Sequence, residues 1–255
     1  MKIAIAGKGG AGKTTLCALL ARFFAAQGRP VLAVDADPNN CLGQALGLSE
    51  ETLARITPLS EMKQLLAERA GTDQPGSFFS LNPQVDDLPE RFRVQVEGIS
   101  LFVMGSITQG GAGCICPESG VLKAVIRQLV EREEAAVLLD MEAGIEHLGR
   151  GTARFVDCLV IVVEPTWASV RTAERIAKLA GDLDLPPPLV VGNKVQDAAA
   201  DFLREHLEGL ELIGLLPFDE RLLSGPGPVA PGPAFLQVVE SIGERLLRCP
   251  RRMKE

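Results

Sequence analysis

The chain has 255 residues, of which 46% are hydrophobic and 23% charged, and its formal net charge is −7. That length and balance suit one large soluble α/β domain with a well-buried core. Ten Phe, one Trp and no Tyr leave few rings for base stacking, and an acidic surface repels phosphate backbones, so no nucleic-acid partner is expected.

Met1-Lys2 runs at once into a short apolar stretch without a leader pattern, and no apolar run reaches bilayer length. The expectation is a cytoplasmic protein with no membrane partner. Strands are expected at Lys2–Ala6, Val31–Asp35, Ser100–Met104, Ala136–Asp140, Cys158–Val163, Leu189–Val191 and Leu212–Leu215. Most are continuous apolar runs, the pattern of strands covered on both faces. Helical periodicity is clearest at Thr15–Gln27, Gly120–Glu133, Ala168–Leu183 and Phe235–Leu247. The alternation predicts an α/β fold, a mainly parallel central sheet flanked by helices, as a single domain over residues 1–255. Gly71–Glu97 reads as an insertion whose Phe92–Val96 pairs with the next strand as a hairpin, and Ser224–Pro233 as a Pro/Gly-rich loop.

Gly7-Lys8-Gly9-Gly10-Ala11-Gly12-Lys13-Thr14 fits G-x-x-x-x-G-K-[ST] between a strand and a helix. Gly9, Gly10, Ala11 and Gly12 would turn backbone N–H groups toward phosphate oxygens, and the helix N-terminus adds its positive end. Lys13 would reach the β- and γ-phosphates, the Thr14 hydroxyl would ligate Mg2+, and Thr15 would meet the α-phosphate. The expected ligands are ATP or ADP with Mg2+.

Lys8, directly after the first glycine, is not needed to form the loop. With it the segment resembles the deviant Walker A family, K-G-G-x-G-K-[ST], which includes the nitrogenase iron protein and the MinD and ParA ATPases. The resemblance spans nearly the whole chain and implies the P-loop NTPase fold and ATP hydrolysis. It also implies a Lys8 that crosses a dimer interface to the other protomer's nucleotide. Asp35-Ala36-Asp37-Pro38 ends the second strand, where open α/β sheets place ligands. The resemblance implies that Asp37 positions the attacking water and that Asp35 organises the lysine and magnesium shell. Val137-Leu138-Leu139-Asp140 reads as a Walker B strand, with Asp140 holding Mg2+ through water and Gly144 as a hinge that senses the γ-phosphate. The resemblance also implies an adenine contact from Asn193, in the turn after the strand Leu189–Val191. Pro217 and Asp219 look like the other side of the base pocket.

The six cysteines are thiols or metal ligands in such a compartment. Cys17 and Cys158 fall in apolar patterns and read as core, and Cys41 and Cys249 carry no ligand signal. Cys114 and Cys116 lie in a Gly-rich loop near 110–117. One such pair gives two thiolates where a structural metal wants four, so a twofold dimer would complete the site. The softness of sulfur admits Zn, Ni, Cu(I) or an iron–sulfur cluster.

Gly110–Ile126, together with Asp140–Gly151 (Glu142, Glu146, His147, Arg150), resembles the CooC-type accessory ATPases of nickel insertion into carbon monoxide dehydrogenase, with the AcsF group of acetyl-CoA synthase close by. This implies an ATP-dependent metallochaperone. Its homodimer is ATP- and metal-dependent and shares Ni2+ or Zn2+ between protomers, and its client is carbon monoxide dehydrogenase or acetyl-CoA synthase. Two rivals stand beside it. One is an iron–sulfur reductase component, whose cysteines are spaced far apart in sequence. The other is a MinD/ParA-type positioning ATPase, for which Phe235–Leu247 followed by Arg248, Arg251, Arg252 and Lys254 would be a membrane-binding helix.

Overall fold

The computed structural model describes residues 1–73, 80, 82–105, 117–131, 135–142, 144–145, 153, 155–223 and 228–250. Its centre is a sheet of strands β1 (Lys2–Gly7), β2 (Val31–Ala36), β3 (Val94–Val96), β4 (Ile99–Val103), β5 (Ala136–Met141), β6 (Cys158–Val163), β7 (Leu189–Val195) and β8 (Glu211–Pro217). The strand order is β3-β4-β2-β5-β1-β6-β7-β8. Every pairing is parallel except β3 with β4. The expected hairpin is present: Glu97 and Gly98, both at positive φ, close it, and its first strand is Val94–Val96 because Phe92 ends a short helix.

Alternation along the strands divides the core in two. Ala4, Ala6, Leu32, Val34, Val137 and Leu139 face one layer. Ile3, Ile5, Val31, Ala33, Ala136 and Leu138 face the other. The helices, in chain order, are α1 (Lys13–Ala26), α2 (Leu42–Ala45), α3 (Glu50–Leu53), α4 (Lys63–Ala70), α5 (Leu88–Phe92), α6 (Pro117–Glu131), α7 (Trp167–Asp182), α8 (Asp197–His206) and α9 (Pro233–Leu247). α4, α6 and α7 bury apolar side chains in the first layer. α1, α2 and α9 do so in the second.

Two features depart from the sequence reading. β7 continues through Asn193 and Lys194 to Val195, with register irregularities against β8, so Asn193 is a buried strand residue and not part of a turn. α8 follows with no counterpart in the expected elements. Cys17 and Cys158 are buried as expected. α9 packs on β8 and α1, with Phe235, Val239, Ile242 and Leu246 buried. Among the described residues no helix is long and apolar enough to cross a membrane.

Candidate functional site

The loop from Gly7 to Gly12 joins the carboxyl end of β1 to α1. Ala11 N–H donates to the Lys8 carbonyl at 3.1 Å, and Gly10 stands at φ 79°, so the loop tip is a tight turn that favours glycine. Gly12 precedes α1 in a left-handed conformation, and no side chain caps the helix. A Cβ on Gly12 would also overlap the Asn193 side-chain nitrogen, so conformation and space both require glycine here. The first amides of α1 therefore face the loop, an arrangement that attracts anions. Lys13 is buried, at 6% exposure, and its Nζ lies 3.5 Å from the Lys8 carbonyl oxygen. Gly9 and Gly10 are exposed; Lys8, Thr14 and Thr15 are half-buried.

Asp35 and Asp140 are register partners at the carboxyl ends of β2 and β5, and both are fully buried. Alternation turns both toward the layer that holds α1. The Thr14 hydroxyl donates to Asp140 Oδ2 at 2.6 Å. Asp140 Oδ1 is buried with no hydrogen-bond partner among the described residues. Burial, and then the Asp35 charge, push the Asp140 carboxyl up to about 7, against the pull of the Thr14 hydroxyl and Lys13. Asp35 accepts the Leu42 N–H at 2.9 Å and the Asp37 N–H at 3.3 Å. Burial likewise raises it to about 7; these two amides oppose the rise and the Asp37 charge adds to it. Two buried carboxylates and a hydroxyl, with one carboxylate oxygen lacking a partner, match the hard-oxygen chemistry of Mg2+.

Asp37 is half-buried, and its Oδ1 accepts both the backbone and the side-chain N–H of Asn39 at 2.9 Å. Asn193 Nδ2 donates to the Ala11 carbonyl at 2.7 Å, which leads it to the phosphate loop. Pro217 ends β8. Asp219 has both carboxylate oxygens engaged: Oδ2 accepts the Gly232 N–H at 2.6 Å, and Oδ1 accepts from Arg221 at 3.0 Å. These bonds, the Gly232 amide first, hold its carboxyl below the usual range and fasten the loop ahead of α9. Cys114, Cys116, Glu146, His147 and Arg150 lie outside the described residues.

Sequence reasoning missed Lys194 and Glu164. Lys194 Nζ donates to the Gly10 carbonyl at 2.9 Å and to Glu164 Oε1 at 2.6 Å. The signal available was slight: a lysine beside Asn193, and an acid at the carboxyl end of β6.

A glycine loop at a helix N-terminus, a buried lysine and a Thr–Asp pair at the carboxyl edge of a parallel sheet define a P-loop nucleotide-binding protein. The comparisons agree: residues 2–227 match the CobQ/CobB/MinD/ParA nucleotide binding domain, and the chain belongs to that family of P-loop ATPases. The carbon monoxide dehydrogenase accessory protein CooC of Rhodospirillum rubrum is 42% identical to it over 224 residues, 87% of this chain and 85% of that one. An uncharacterized ATP-binding protein of Methanocaldococcus jannaschii is 44% identical over 229 residues, 88% of this chain and 87% of that one. The expected resemblance to CooC-type ATPases is therefore met. Among solved structures, the MinD cell division protein of Aquifex aeolicus superposes with a TM-score of 0.66 at 25% identity, covering 99% of each chain.

Proposed function

We propose that this chain is a single-domain ATPase that binds nickel and delivers it to a carbon monoxide dehydrogenase or acetyl-CoA synthase during maturation. The observation that carries the reading is the coincidence, in one chain, of a phosphate loop and the Cys114-Ile115-Cys116 pair. The likeness to the CooC protein supports the class of client.

In this reading ATP lies with its phosphates against Gly9 to Gly12, Lys13, Thr14 and Thr15. The base lies toward Asn193 and Pro217, and Asp219 fastens the loop beside it. Thr14, Asp140 and Asp35 would hold Mg2+, which would supply positive charge against the phosphates. Asp37 orients a water in line with the γ-phosphorus. The water oxygen bonds to phosphorus as the bond to the β–γ bridging oxygen breaks, giving ADP and phosphate. Lys13, with Lys8 of the opposite protomer, neutralises the charge that moves onto the leaving oxygens.

Two protomers, joined through their nucleotides, bring two Cys114/Cys116 pairs together into a four-thiolate site for Ni2+ or Zn2+. Hydrolysis loosens the dimer and separates the pairs, and the metal leaves for the client. No nucleic acid or membrane takes part, and the work is cytoplasmic.

The test measures bound metal and particle mass with and without ATP. Half a metal per chain, appearing with dimerisation, is the expected result; one metal per monomer regardless of nucleotide would sink the shared site. A MinD-like positioning role is the competing reading, favoured by the fold. It requires the apolar face of α9 for lipid, and that face is occupied by β8 and α1. Co-sedimentation with anionic liposomes in ATP would revive it.

A further inference from the structure

Two consecutive residues of β7 hold two consecutive peptide units of the phosphate loop. Asn193 Nδ2 donates to the carbonyl of Ala11 at 2.7 Å, and Lys194 Nζ to the carbonyl of Gly10 at 2.9 Å. A trans peptide unit is planar, with its C=O and N–H on opposite sides. Drawing the Gly10 carbonyl toward Lys194 therefore turns the Ala11 N–H to the inner side of the loop, where it meets the Lys8 carbonyl. Drawing the Ala11 carbonyl toward Asn193 likewise sets the Gly12 N–H on the side of that peptide unit away from Asn193. The Ala11 N–H is spent on that turn, so what the two contacts fix is the shape of the loop tip, and with it the direction of the neighbouring amides from which a phosphate cradle is made.

Lys194 is itself held in place. It has φ 58°, a conformation uncommon for a side chain of its size, within the irregular stretch of β7 between Gly192 and Val195. Its backbone N–H donates to Asn193 Oδ1 at 2.9 Å. Its ammonium reaches Glu164, whose side chain is 16% exposed. The Glu164 N–H in turn donates to the buried Ser169 hydroxyl at 2.9 Å, so the chain of contacts ends in the first turn of α7.

We propose that Lys194, steadied by Glu164, is a positioning residue for the phosphate loop that presets the Gly10–Ala11 peptide for polyphosphate whatever base is attached. The inference rests on the ATP-site reading above. It assigns to the Asn-Lys pair a task on the phosphate side of the nucleotide, separate from recognition of adenine.

The experiment uses the full chain with Mg2+ and compares binding of ATP, GTP and inorganic tripolyphosphate to the wild type, Lys194→Met, Lys194→Arg and Glu164→Gln. Lys194→Met should weaken all three ligands by a common factor, about tenfold, with the ATP-to-GTP ratio unchanged. Lys194→Arg should recover most of the loss, and Glu164→Gln should fall between. Unchanged tripolyphosphate binding in Lys194→Met would overturn the proposal, as would a shifted ATP-to-GTP ratio, which marks a base contact. A lower ligand-free melting temperature in both Lys194 variants, with no rescue by arginine, would also overturn it by marking a merely structural ion pair. A wild type that binds neither ATP nor tripolyphosphate would remove the nucleotide-site reading itself, a result distinct from these.

Discussion

The Thr14 hydroxyl and Asp140 Oδ2 lie 2.6 Å apart, joining the first turn of α1 to the end of β5 across the layer that the loop opens onto. The bond leaves Asp140 Oδ1 without a protein partner among the described residues, so in the proposed site a divalent ion would gain a carboxylate oxygen and the hydroxyl oxygen from two separate elements. Thr14→Ala removes one of these and slackens the other. The expected outcome is magnesium affinity lower by about 10–100-fold, with a matching rise in the Mg2+ needed for half-maximal ATPase rate. Nucleotide binding in EDTA should persist. A metal titration of the steady-state rate checks this, and an unchanged titration curve would refute the assignment.

Asp35 and Asp140 are both raised to about 7, far above an unfolded aspartate. The folded chain therefore holds protons that the unfolded chain releases between about pH 4 and 7. Stability of the nucleotide-free protein should rise as pH falls from 8 through 7 toward 5, the reverse of a carboxylate held by an ion pair. The expected gain from these two groups is on the order of a few kcal/mol. Thermal melts in metal-free buffer at pH 8 and pH 5.5 measure it. Asp140→Asn should raise the melting temperature at pH 8 and flatten the profile while abolishing ATPase activity. A melting temperature insensitive to pH in the wild type would contradict the burial argument.

What the sequence revealed and what it hid follow from the range of the interactions. The phosphate loop was legible because its glycines, its lysine and its helix N-terminus are contiguous, so the motif and its physical reason lie in one stretch. Asp35 and Asp140 were legible singly, as acids ending apolar strands. Their pairing was not, since β2 and β5 meet by a register that only the folded sheet sets. Asparagine is rare in strands, and that preference alone points Asn193 to a turn. The Ala11 carbonyl, 182 residues away, satisfies its buried amide and overrides that preference. Lys194 reaches Gly10 across 184 residues, and no local pattern announces such a contact. α8 is a short helix of ten residues; among its described side chains Leu203 is fully buried, and Ala199, Ala200 and Phe202 pack partly against the core, a stripe only about three turns long that sequence reading passed over.

Lys8 sits at the start of the exposed tip, and its backbone carbonyl accepts the loop's internal bonds from the Ala11 N–H and Lys13 Nζ. The loop fold thus depends on the Lys8 backbone, which any residue supplies. Lys8→Ala should therefore keep the loop and its affinity for ATP while losing the charge proposed to cross to the other protomer. Light scattering should show a monomer in ATP. The hydrolysis rate should fall by on the order of 10³, as when a charge supplied in trans is removed. A variant that still dimerises and hydrolyses ATP at the wild-type rate would exclude the crossing role.

The proposed metal site makes the opposite separation. The proposed phosphate machinery uses neither Cys114 nor Cys116, so replacing both by serine should spare ATP binding and remove the soft ligands. A serine hydroxyl stays protonated near neutral pH and is a poor ligand for Ni2+ or Zn2+. The expected result for Cys114→Ser/Cys116→Ser is loss of bound metal from half per chain to near none, with ATP affinity unchanged. Because a shared metal contributes to holding two protomers together, the fraction of dimer at a given ATP concentration should also fall. Metal analysis on the same samples used for mass measurement reads both. Full metal stoichiometry in the double variant would move the site elsewhere, to residues such as His147, and would break the proposed link between the dimer and its cargo.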